Sequence, residues 1–265
     1  MNQKDFEIFL RETLPGMGYA WRMLSRKNVR RKVRRRMESL RIQELGRYRE
    51  LIMRNPEEAA VFQSLLRVTI TRFFRNAEIW EQLGQIIVQG CRTLDAQETI
   101  SCWSAGCAGG EEPYSLAMLL DQLSRRDGLL NPWAVLGTDS DEASLERTGE
   151  LNYRWGSVRE VPEHLLHGWF DNRDDRWFLR PEITANITIC SHDTLSGPPP
   201  GAFHIALVRN SIFTYNTPDV RRKFVERVRE SLVPPGLLVI GRKESLPERS
   251  GFEKVGKCIY KKTAD

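Results

Sequence analysis

The sequence predicts an α/β fold in which a doubly wound, mostly parallel sheet follows a small all-helical N-terminal domain. Two patterns support this prediction. After residue 97, short apolar segments alternate with segments whose apolar residues recur three and four apart, whereas before it only the helical spacing is found. We therefore expect a helical domain over residues 1–75 and an α/β domain over residues 76–265. Residues 154–186, which are rich in Trp, Arg and Asp, are expected to form a lid or small subdomain.

The N-terminal domain is predicted to contain successive helices. Apolar residues at helical spacing mark the first two: Phe6, Phe9, Leu10 and Leu14 in one, and Val29, Val33, Met37 and Leu40 in the other. Pro15 and Gly16 end the first helix. A third helix is expected over Ile42–Met53, and a fourth begins near Pro56.

The second of these helices is strongly cationic. Eight of the eleven residues from Arg26 to Arg36 are Lys or Arg, while the whole chain has a net charge of only +5. This asymmetry predicts one local acidic partner, either an acidic protein helix or a nucleic acid; a solvated face is the plain alternative. No aromatic residue lies between Arg26 and Arg41 on which bases could stack, so we expect that the partner is not a nucleic acid.

Composition excludes several classes of protein. Hydrophobic residues make up 40% of the chain, which is typical of a globular protein, and no apolar run approaches the roughly 20 residues that span a bilayer. The N-terminal residues contain no apolar signal core. Five cysteines without zinc spacing and four scattered histidines predict reduced thiols and no metal site. We therefore expect a cytoplasmic protein that does not insert into membranes.

The α/β domain is predicted from six apolar segments. These strand candidates are Thr99–Ser104, Ala134–Thr138, Ile187–Cys190, His204–Arg209, Leu237–Ile240 and Cys258–Tyr260. Predicted helices at Glu111–Arg125 and Val220–Leu232 separate several of them, as expected for parallel strands.

The segment Ser101–Ser115 is the most informative part of the chain. It reads as a buried strand, a glycine-rich turn and a helix that begins with Glu111, Glu112 and Pro113. The glycine spacing is Gly-x-x-Gly-Gly, so the dinucleotide fingerprint Gly-x-Gly-x-x-Gly is not met and a dehydrogenase is not favoured. Carboxylates at this turn repel a pyrophosphate and favour a ligand with a cationic group.

Asp139 follows the second predicted strand. A carboxylate in this position of a doubly wound sheet can bind ribose hydroxyls. Taken alone, Asp139 and Asp141 are better interpreted as caps of a helix beginning at Glu142. Together with the glycine turn, ribose binding by Asp139 is the favoured interpretation.

Several motifs occur together in one order along the chain. They are Thr71-Arg-Phe-Phe-Arg75, Trp103-Ser-Ala105, Gly110-Glu-Glu-Pro-Tyr-Ser115, Thr138-Asp-Ser-Asp141 and Arg209-Asn210. In these motifs the chain resembles the CheR family of chemotaxis receptor methyltransferases. The resemblance implies S-adenosylmethionine as the cofactor, S-adenosylhomocysteine as its product, and O-methylation of glutamates on an acidic helix in the cytoplasmic region of a chemoreceptor.

The resemblance also implies roles for individual residues. Arg75 and Tyr215 would act in catalysis. The expected cofactor-binding residues are Thr69, Thr71, Arg75, Ala105, Gly106, Glu112, Asp139, Asp193, Thr194, Arg209 and Asn210. In this scheme Glu112 contacts the methionyl or adenosine part, Asp139 the ribose, and Asp193 and Thr194 the adenine. An ion pair at a surface or between domains is the alternative role for Arg75.

This sequence departs from the family pattern at four places. Thr69 replaces an asparagine, Val208 replaces a cysteine, and Asp193-Thr194 replaces Asn-Leu. Thr214 stands at the position of the family's tyrosine, with Tyr215 one residue later, and a one-residue shift at a strand end would turn the side chain to the other face. A catalytically silent cofactor-binding module that docks partners therefore stays open beside the enzyme.

Overall fold

The computed structural model describes residues 1–67, 71–91 and 94–263. The chain forms two compact units, Met1–Val68 with Thr214–Arg221 and Thr69–Phe213 with Arg222–Asp265. The division therefore differs from the predicted boundary at residue 75. The predicted motif Thr71–Arg75 belongs to the larger unit, and a late segment of the chain returns to the smaller one.

The smaller unit is helical, as predicted. Its helices are α1 (Gln3–Thr13), α2 (Trp21–Leu24), α3 (Lys27–Ser39), α4 (Leu45–Arg54) and α5 (Pro56–Leu66). Asn2 caps α1 by accepting a hydrogen bond from the Asp5 N–H at 2.9 Å, and Asn55 caps α5 in the same way. The core is built from the inward faces of these helices and includes Phe6, Phe9, Leu10, Tyr48 and Phe62.

Helix α3 packs on this core by one narrow stripe. Val29, Val33 and Met37 are buried, which confirms the predicted apolar face, and cations occupy much of the remaining surface. On the same helix Arg36 forms an ion pair with Glu58 of α5, which is only 5% exposed.

The segment Thr214–Arg221 is bound to the smaller unit by main-chain hydrogen bonds. The Ala20 N–H donates to the Tyr215 carbonyl at 2.7 Å, and the Thr217 N–H donates to the Gly18 carbonyl at 2.9 Å. Gly18 has a positive φ of 81°, and a Cβ there would lie 3.0 Å from Val220. These contacts explain why the smaller unit is not continuous in sequence.

The larger unit alternates helices and strands. The helices that follow α5 are α6 (Ala77–Cys91), α7 (Glu111–Arg126), α8 (Glu142–Gly149), α9 (Trp155–Val158), α10 (Glu163–Trp169), α11 (Ile212–Tyr215) and α12 (Pro218–Ser231), of which α11 and α12 cross the division between the units. The strands are β1 (Ile100–Ala105), β2 (Trp133–Asp139), β3 (Asn152–Arg154), β4 (Phe170–Arg173), β5 (Arg176–Leu179), β6 (Ile187–Ser191), β7 (Phe203–Val208), β8 (Leu232–Ile240), β9 (Phe252–Gly256) and β10 (Ile259–Lys262).

The main sheet has seven strands in the order β6-β2-β1-β7-β8-β10-β9. Strands β6, β2, β1, β7 and β8 are parallel, and β10 is antiparallel to both of its neighbours. The predicted doubly wound, mostly parallel fold is therefore confirmed. The chain leaves β1 toward β2 and β6 and later returns to the other side of β1 at β7. The topological switch point, where such sheets bind ligands beside the carboxyl ends of their strands, lies between β1 and β7.

A second, three-stranded antiparallel sheet has the order β3-β5-β4. It occupies much of the segment 154–186 for which a lid or subdomain was predicted. Among the described residues no helix is long and apolar enough to cross a membrane.

Candidate functional site

The turn between β1 and α7 has a backbone that only glycine readily adopts at two points. Gly106 has a φ of 72° and Gly110 a φ of 86°. A Cβ on Gly110 would lie 2.6 Å from side-chain atoms of both Thr148 and Tyr114, so a larger residue does not fit. The N–H groups of Gly106 and Cys107 both donate to the Thr138 carbonyl, at 2.8 and 2.9 Å, which fixes the turn to β2.

Asp139 ends β2, and its side chain binds main-chain N–H groups of two turns, the one after β1 and the one after β2. Its Oδ2 accepts a hydrogen bond from the Ala108 N–H at 2.8 Å, and its Oδ1 accepts one from the Asp141 N–H at 2.9 Å. An ionised carboxylate has about four acceptor positions. Asp139, which is half-buried, can therefore accept hydroxyl hydrogen bonds while it keeps both turns in place.

Glu112 and Arg209 form a buried ion pair across the switch point. The Arg209 Nη1 lies 3.2 Å from Glu112 Oε2, and Ser104 Oγ donates to Glu112 Oε1 at 2.9 Å. The side chains are 1% and 13% exposed for Arg209 and Glu112. Burial raises the pKa of Glu112 and the Arg209 charge opposes this. The arrangement brings together two of the residues that the sequence predicted.

The predicted motif Thr71–Arg75 meets Arg209 through its main chain. Arg209 Nη2 donates to the Arg75 carbonyl at 2.7 Å, and the Trp80 Nε1–H donates to the same oxygen at 3.2 Å. The Arg209 guanidinium also lies 5.4 Å from the centre of the Trp80 ring. Thr71 and the Arg75 side chain are half-buried. Thr69 lies outside the described residues.

Asn210 is held at the carboxyl end of β7 by Glu244, a residue that the sequence analysis did not find. Glu244 Oε2 accepts hydrogen bonds from the Asn210 N–H at 2.9 Å and from the Gly241 N–H at 2.5 Å. A Cβ on Gly241 would lie 2.6 Å from this oxygen. The ends of β7 and β8 are thus joined through one carboxylate.

Asp193 and Thr194 follow β6, the neighbour of β2. Asp193 Oδ1 accepts from the Leu195 N–H at 3.0 Å and so caps the short 3-10 turn Thr194–Ser196. Just before it, the His192 N–H donates to the Asp139 carbonyl at 3.0 Å. The residue just before the pair predicted to face the adenine is therefore hydrogen-bonded to the residue predicted to bind the ribose.

Tyr215 lies in the smaller unit rather than in the α/β unit. It ends the short helix α11, so the one-residue shift relative to the family pattern occurs in a helix and not at a strand end. Its ring packs against the helical core and lies 5.6 Å from the Arg26 guanidinium.

The residues that the structure does gather share one edge of the sheet. Ala105 ends β1 and Gly106 follows it, Asp139 ends β2, and Arg209 and Asn210 follow β7, with Glu112 opposite Arg209.

A further observation fits a ligand at this edge. Ser211 Oγ is buried and has no hydrogen-bond partner among the described residues, and its Cβ would lie 3.8 Å from a Cβ on Gly106. Carboxylates beside a hydroxyl group without a hydrogen-bond partner are suited to bind a ligand that carries a cationic group and hydroxyl groups.

Comparisons with known proteins agree with this chemistry. The family model described as the CheR methyltransferase, SAM binding domain, matches residues 69–260. The chemotaxis protein methyltransferase of Listeria monocytogenes is 26% identical over 264 residues, which cover 98% of each chain.

Two further proteins share less of their length with the chain. An uncharacterized 104.1 kDa protein of Rhodobacter capsulatus is 27% identical over 219 residues, 82% of this chain but only 23% of that protein. Among solved structures, the glycopeptide N-methyltransferase MtfA complexed with (S)-adenosyl-L-methionine has a TM-score of 0.35 and 14% identity over 58% of this chain and 48% of that chain.

The family match takes in the glycine turn, the carboxylates beside it and nearly all of the main sheet. The cofactor of this domain is S-adenosylmethionine, and the chain belongs to the CheR methyltransferase family.

Proposed function

We propose that this protein is a cytoplasmic O-methyltransferase that methylates glutamate side chains on an acidic helix of a chemoreceptor. The cofactor follows from the family, and a relative of nearly equal length is named a chemotaxis protein methyltransferase. The observation that carries the choice of substrate is the outward face of α3.

The cations of α3 divide into two groups. Arg36 pairs with Glu58, Lys32 Nζ donates to the Arg67 carbonyl at 3.1 Å, and Arg30 Nη1 donates to Gln3 Oε1 at 2.9 Å. These three are engaged within the smaller unit. The exposed cations are Lys27, Arg31, Arg34 and Arg35, of which Arg34 lies 3.7 Å from the Glu38 carboxylate on the same helix.

The exposed group has a helical arrangement. Lys27, Arg31 and Arg35 follow one another at intervals of four, so they share one face of α3. A row of cations on one helix face matches the row of carboxylates on an acidic partner helix better than it matches a scattered charge. We infer that this row, with Arg34 beside it, is the surface that receives the substrate.

The α/β unit has a residue for each part of the cofactor. We assign the amino acid part to Glu112, the ribose to Asp139, and the adenine to Asp193 and Thr194. Ala105 and Gly106 bring the main chain close to the ligand, and Asn210 lies on the other side of the switch point. Arg209 holds the Glu112 carboxylate in place. When bound, S-adenosylmethionine supplies a methyl group on a cationic sulfur.

The protein's own contribution to the reaction is orientation. A glutamate carboxylate has an ordinary pKa far below 7, so it is already ionised at neutral pH and needs no general base. Holding two reacting groups in the correct geometry can lower a barrier by roughly 7–11 kcal/mol. We assign the orientation of the incoming carboxylate to Arg75, whose guanidinium can bind it in a charge-assisted pair, and a supporting role to Tyr215.

A second candidate is a module that binds the cofactor and docks partners without methyl transfer. The contact between Tyr215 and Arg26 favours it, because a ring engaged inside the helical unit is not free for chemistry. The Thr214 departure from the family pattern points the same way.

Methyl transfer from radiolabelled S-adenosylmethionine to a purified receptor cytoplasmic fragment tests the proposal. We expect label that is released by base, as from a carboxyl methyl ester, and no label on a fragment whose glutamates are changed to alanine. If Tyr215 acts in the reaction, Tyr215→Phe lowers turnover and Thr214→Ala does not. Firm binding of S-adenosylhomocysteine without any transfer would support the docking module instead.

A further inference from the structure

Two adjacent glutamates begin α7, and only Glu112 faces the switch point. The side chain of Glu111 is directed elsewhere and is 5% exposed. Its Oε1 accepts a hydrogen bond from Ser157 Oγ at 3.2 Å, while its Oε2 has no partner among the described residues. A Cβ on Gly109 would lie 2.8 Å from this Oε2, so the glycine turn closes directly over the carboxyl group.

Glu111 is connected to the motif segment Arg72–Asn76 by two routes. In the first route, the Glu111 side chain accepts a hydrogen bond from the Ser157 hydroxyl. The Ser157 carbonyl in turn accepts one from the Phe73 N–H at 2.9 Å. In the second route, the Glu111 main-chain carbonyl accepts a hydrogen bond from the Ser115 hydroxyl at 2.5 Å. The same hydroxyl accepts one from the Phe74 N–H at 2.9 Å. Two successive amides of the motif are thus bound by two serines that both bond to Glu111.

The motif segment needs such support because its backbone is strained. Phe74 and Asn76 have φ values of 49° and 64°, which residues other than glycine rarely adopt. Strain of this kind persists only where surrounding contacts fix it. Glu160 supplies one further contact, since it accepts from the Asn76 N–H at 3.1 Å and pairs with Arg72 at 2.6 Å.

The strained segment in turn fixes the cofactor site. It presents the Arg75 carbonyl to Arg209, and Arg209 holds the Glu112 carboxylate. A chain of hydrogen bonds therefore connects Glu111, through the motif segment and Arg209, to Glu112.

We propose that Glu111 is a positioning residue for the cofactor site. Its side chain fixes the motif segment through Ser157, while its main-chain carbonyl, which any residue at this position would supply, holds Ser115. Through that segment it sets the geometry of the Glu112–Arg209 pair. It acts through other residues and does not touch the cofactor. The inference rests on the proposed assignment of Glu112 to the cofactor. It concerns cofactor binding alone, so it is tested without any methyl acceptor and does not depend on the identity of the substrate.

The test measures S-adenosylhomocysteine affinity by calorimetry in four variants. Glu111→Ala removes the Ser157 hydrogen bond and is expected to weaken binding about tenfold, and Ser157→Ala, which removes the same bond from its other end, to weaken it about fivefold. Glu111→Gln keeps an acceptor oxygen for Ser157 and is expected to stay within about threefold of the wild type. Asp121→Ala, on the same helix but in an ion pair with Arg125, is the matched control and should bind as the wild type does.

Amide hydrogen exchange separates positioning from a general loss of stability. Glu111→Ala should speed exchange of the Phe73 amide while the amides of Leu207 and Val239 in the central strands stay protected. Ser115→Ala should speed exchange of the Phe74 amide. Wild-type affinity together with wild-type exchange at Phe73 in Glu111→Ala would overturn the proposal. If that variant does not fold, wild-type affinity in Ser157→Ala overturns it, and rescue by Glu111→Gln supports it.

Discussion

At the scale of single residues, the two carboxylates of Glu111 and Glu112 differ in what compensates their burial. Burial raises the pKa of both groups. Glu112 has the Arg209 guanidinium beside it, whereas the side-chain partner of Glu111 is the neutral Ser157 hydroxyl. Glu112 is therefore the better of the two for an ionised carboxylate that meets a cationic ligand group, and its charge has a measurable consequence.

Cofactor affinity should depend on pH through Glu112. A carboxyl group with a raised pKa takes up its proton at a higher pH than a free glutamate, whose ordinary pKa is 4.5. As the pH falls through the raised value, the negative charge that attracts the ligand's amino group is lost, and binding weakens. Calorimetric titrations with S-adenosylhomocysteine between pH 5 and pH 8 measure this effect.

Glu112→Gln provides the control. This variant should bind about 1–3 kcal/mol more weakly at pH 8, the usual cost of losing a hydrogen bond to a charged group. The part of the pH dependence that belongs to Glu112 should vanish. Equal pH profiles in the variant and the wild type would remove Glu112 from the site.

Sequence motifs provided the candidate site residues that lie next to the turns, but not the residues that support them. Gly106, Glu112 and Asp139 occur within local patterns that carry a physical meaning. Glu244 bonds to Asn210 from 34 residues away, and Ser157 reaches Glu111 from 46 residues away. Such contacts depend on tertiary packing, and no local spacing predicts them.

At the scale of helices and strands, an ion pair with a buried carboxylate joins two helices of the helical unit. Arg36 of α3 donates two hydrogen bonds to Glu58 of α5, and the Tyr48 hydroxyl donates a third at 2.9 Å. The Arg36 hydrogen bond is the main cause that lowers the pKa of Glu58. Removal of one partner of such a buried pair is costly because the others are left without their acceptor.

Glu58→Gln should therefore destabilise the helical unit by about 1–3 kcal/mol at neutral pH. The pKa of Glu58 is lowered by folding, so its contribution is present above the unfolded value of 4.5 and is lost as the pH falls through the folded value. Urea unfolding followed by circular dichroism should show a larger difference between variant and wild type at pH 7 than at pH 3. Glu57→Gln, at the exposed neighbouring position, is the control, and equal losses in both variants would contradict the role of the pair.

The elements that sequence reasoning found are those with long apolar runs. Each of the six strand candidates corresponds to a strand of the main sheet, but β9 and the three-stranded sheet were not predicted. Strand β9 has no apolar run that would mark it in the sequence, because all of its residues are exposed or half-buried and none has to be apolar. The motif Thr71–Arg75 was assigned to the helical domain because no strand precedes it, yet the hydrogen bonds of Phe73 and Phe74 bind it to the larger unit.

At the scale of the whole molecule, charge is concentrated where the fold leaves it exposed. The net charge is +5, and eight cations lie between Arg26 and Arg36. Helix α3 leaves four of them exposed, Lys27, Arg31, Arg34 and Arg35, because its apolar stripe faces the helical core. A local field of this kind accelerates the approach of an oppositely charged partner more than it strengthens the final complex.

Reversal of two exposed charges on α3 should separate partner docking from cofactor binding. In the double variant Arg31→Glu and Arg35→Glu, association with an acidic receptor fragment should slow about tenfold at low salt, and its dependence on salt should flatten, because the attraction between exposed charges is lost. The affinity for S-adenosylhomocysteine should not change, since the residues assigned to the cofactor all belong to the α/β unit.

The double variant Lys223→Glu and Lys254→Glu is the matched control, because it changes the net charge by the same amount at exposed positions of the larger unit. Stopped-flow or surface plasmon resonance measurements over a range of salt concentrations would provide the rates. If the control slows association as much as the α3 variant does, the net charge and not the row on α3 governs docking. If the wild type binds duplex DNA more tightly than any acidic receptor fragment, the exposed face of α3 serves a nucleic acid, and the assignment of a receptor helix as substrate fails.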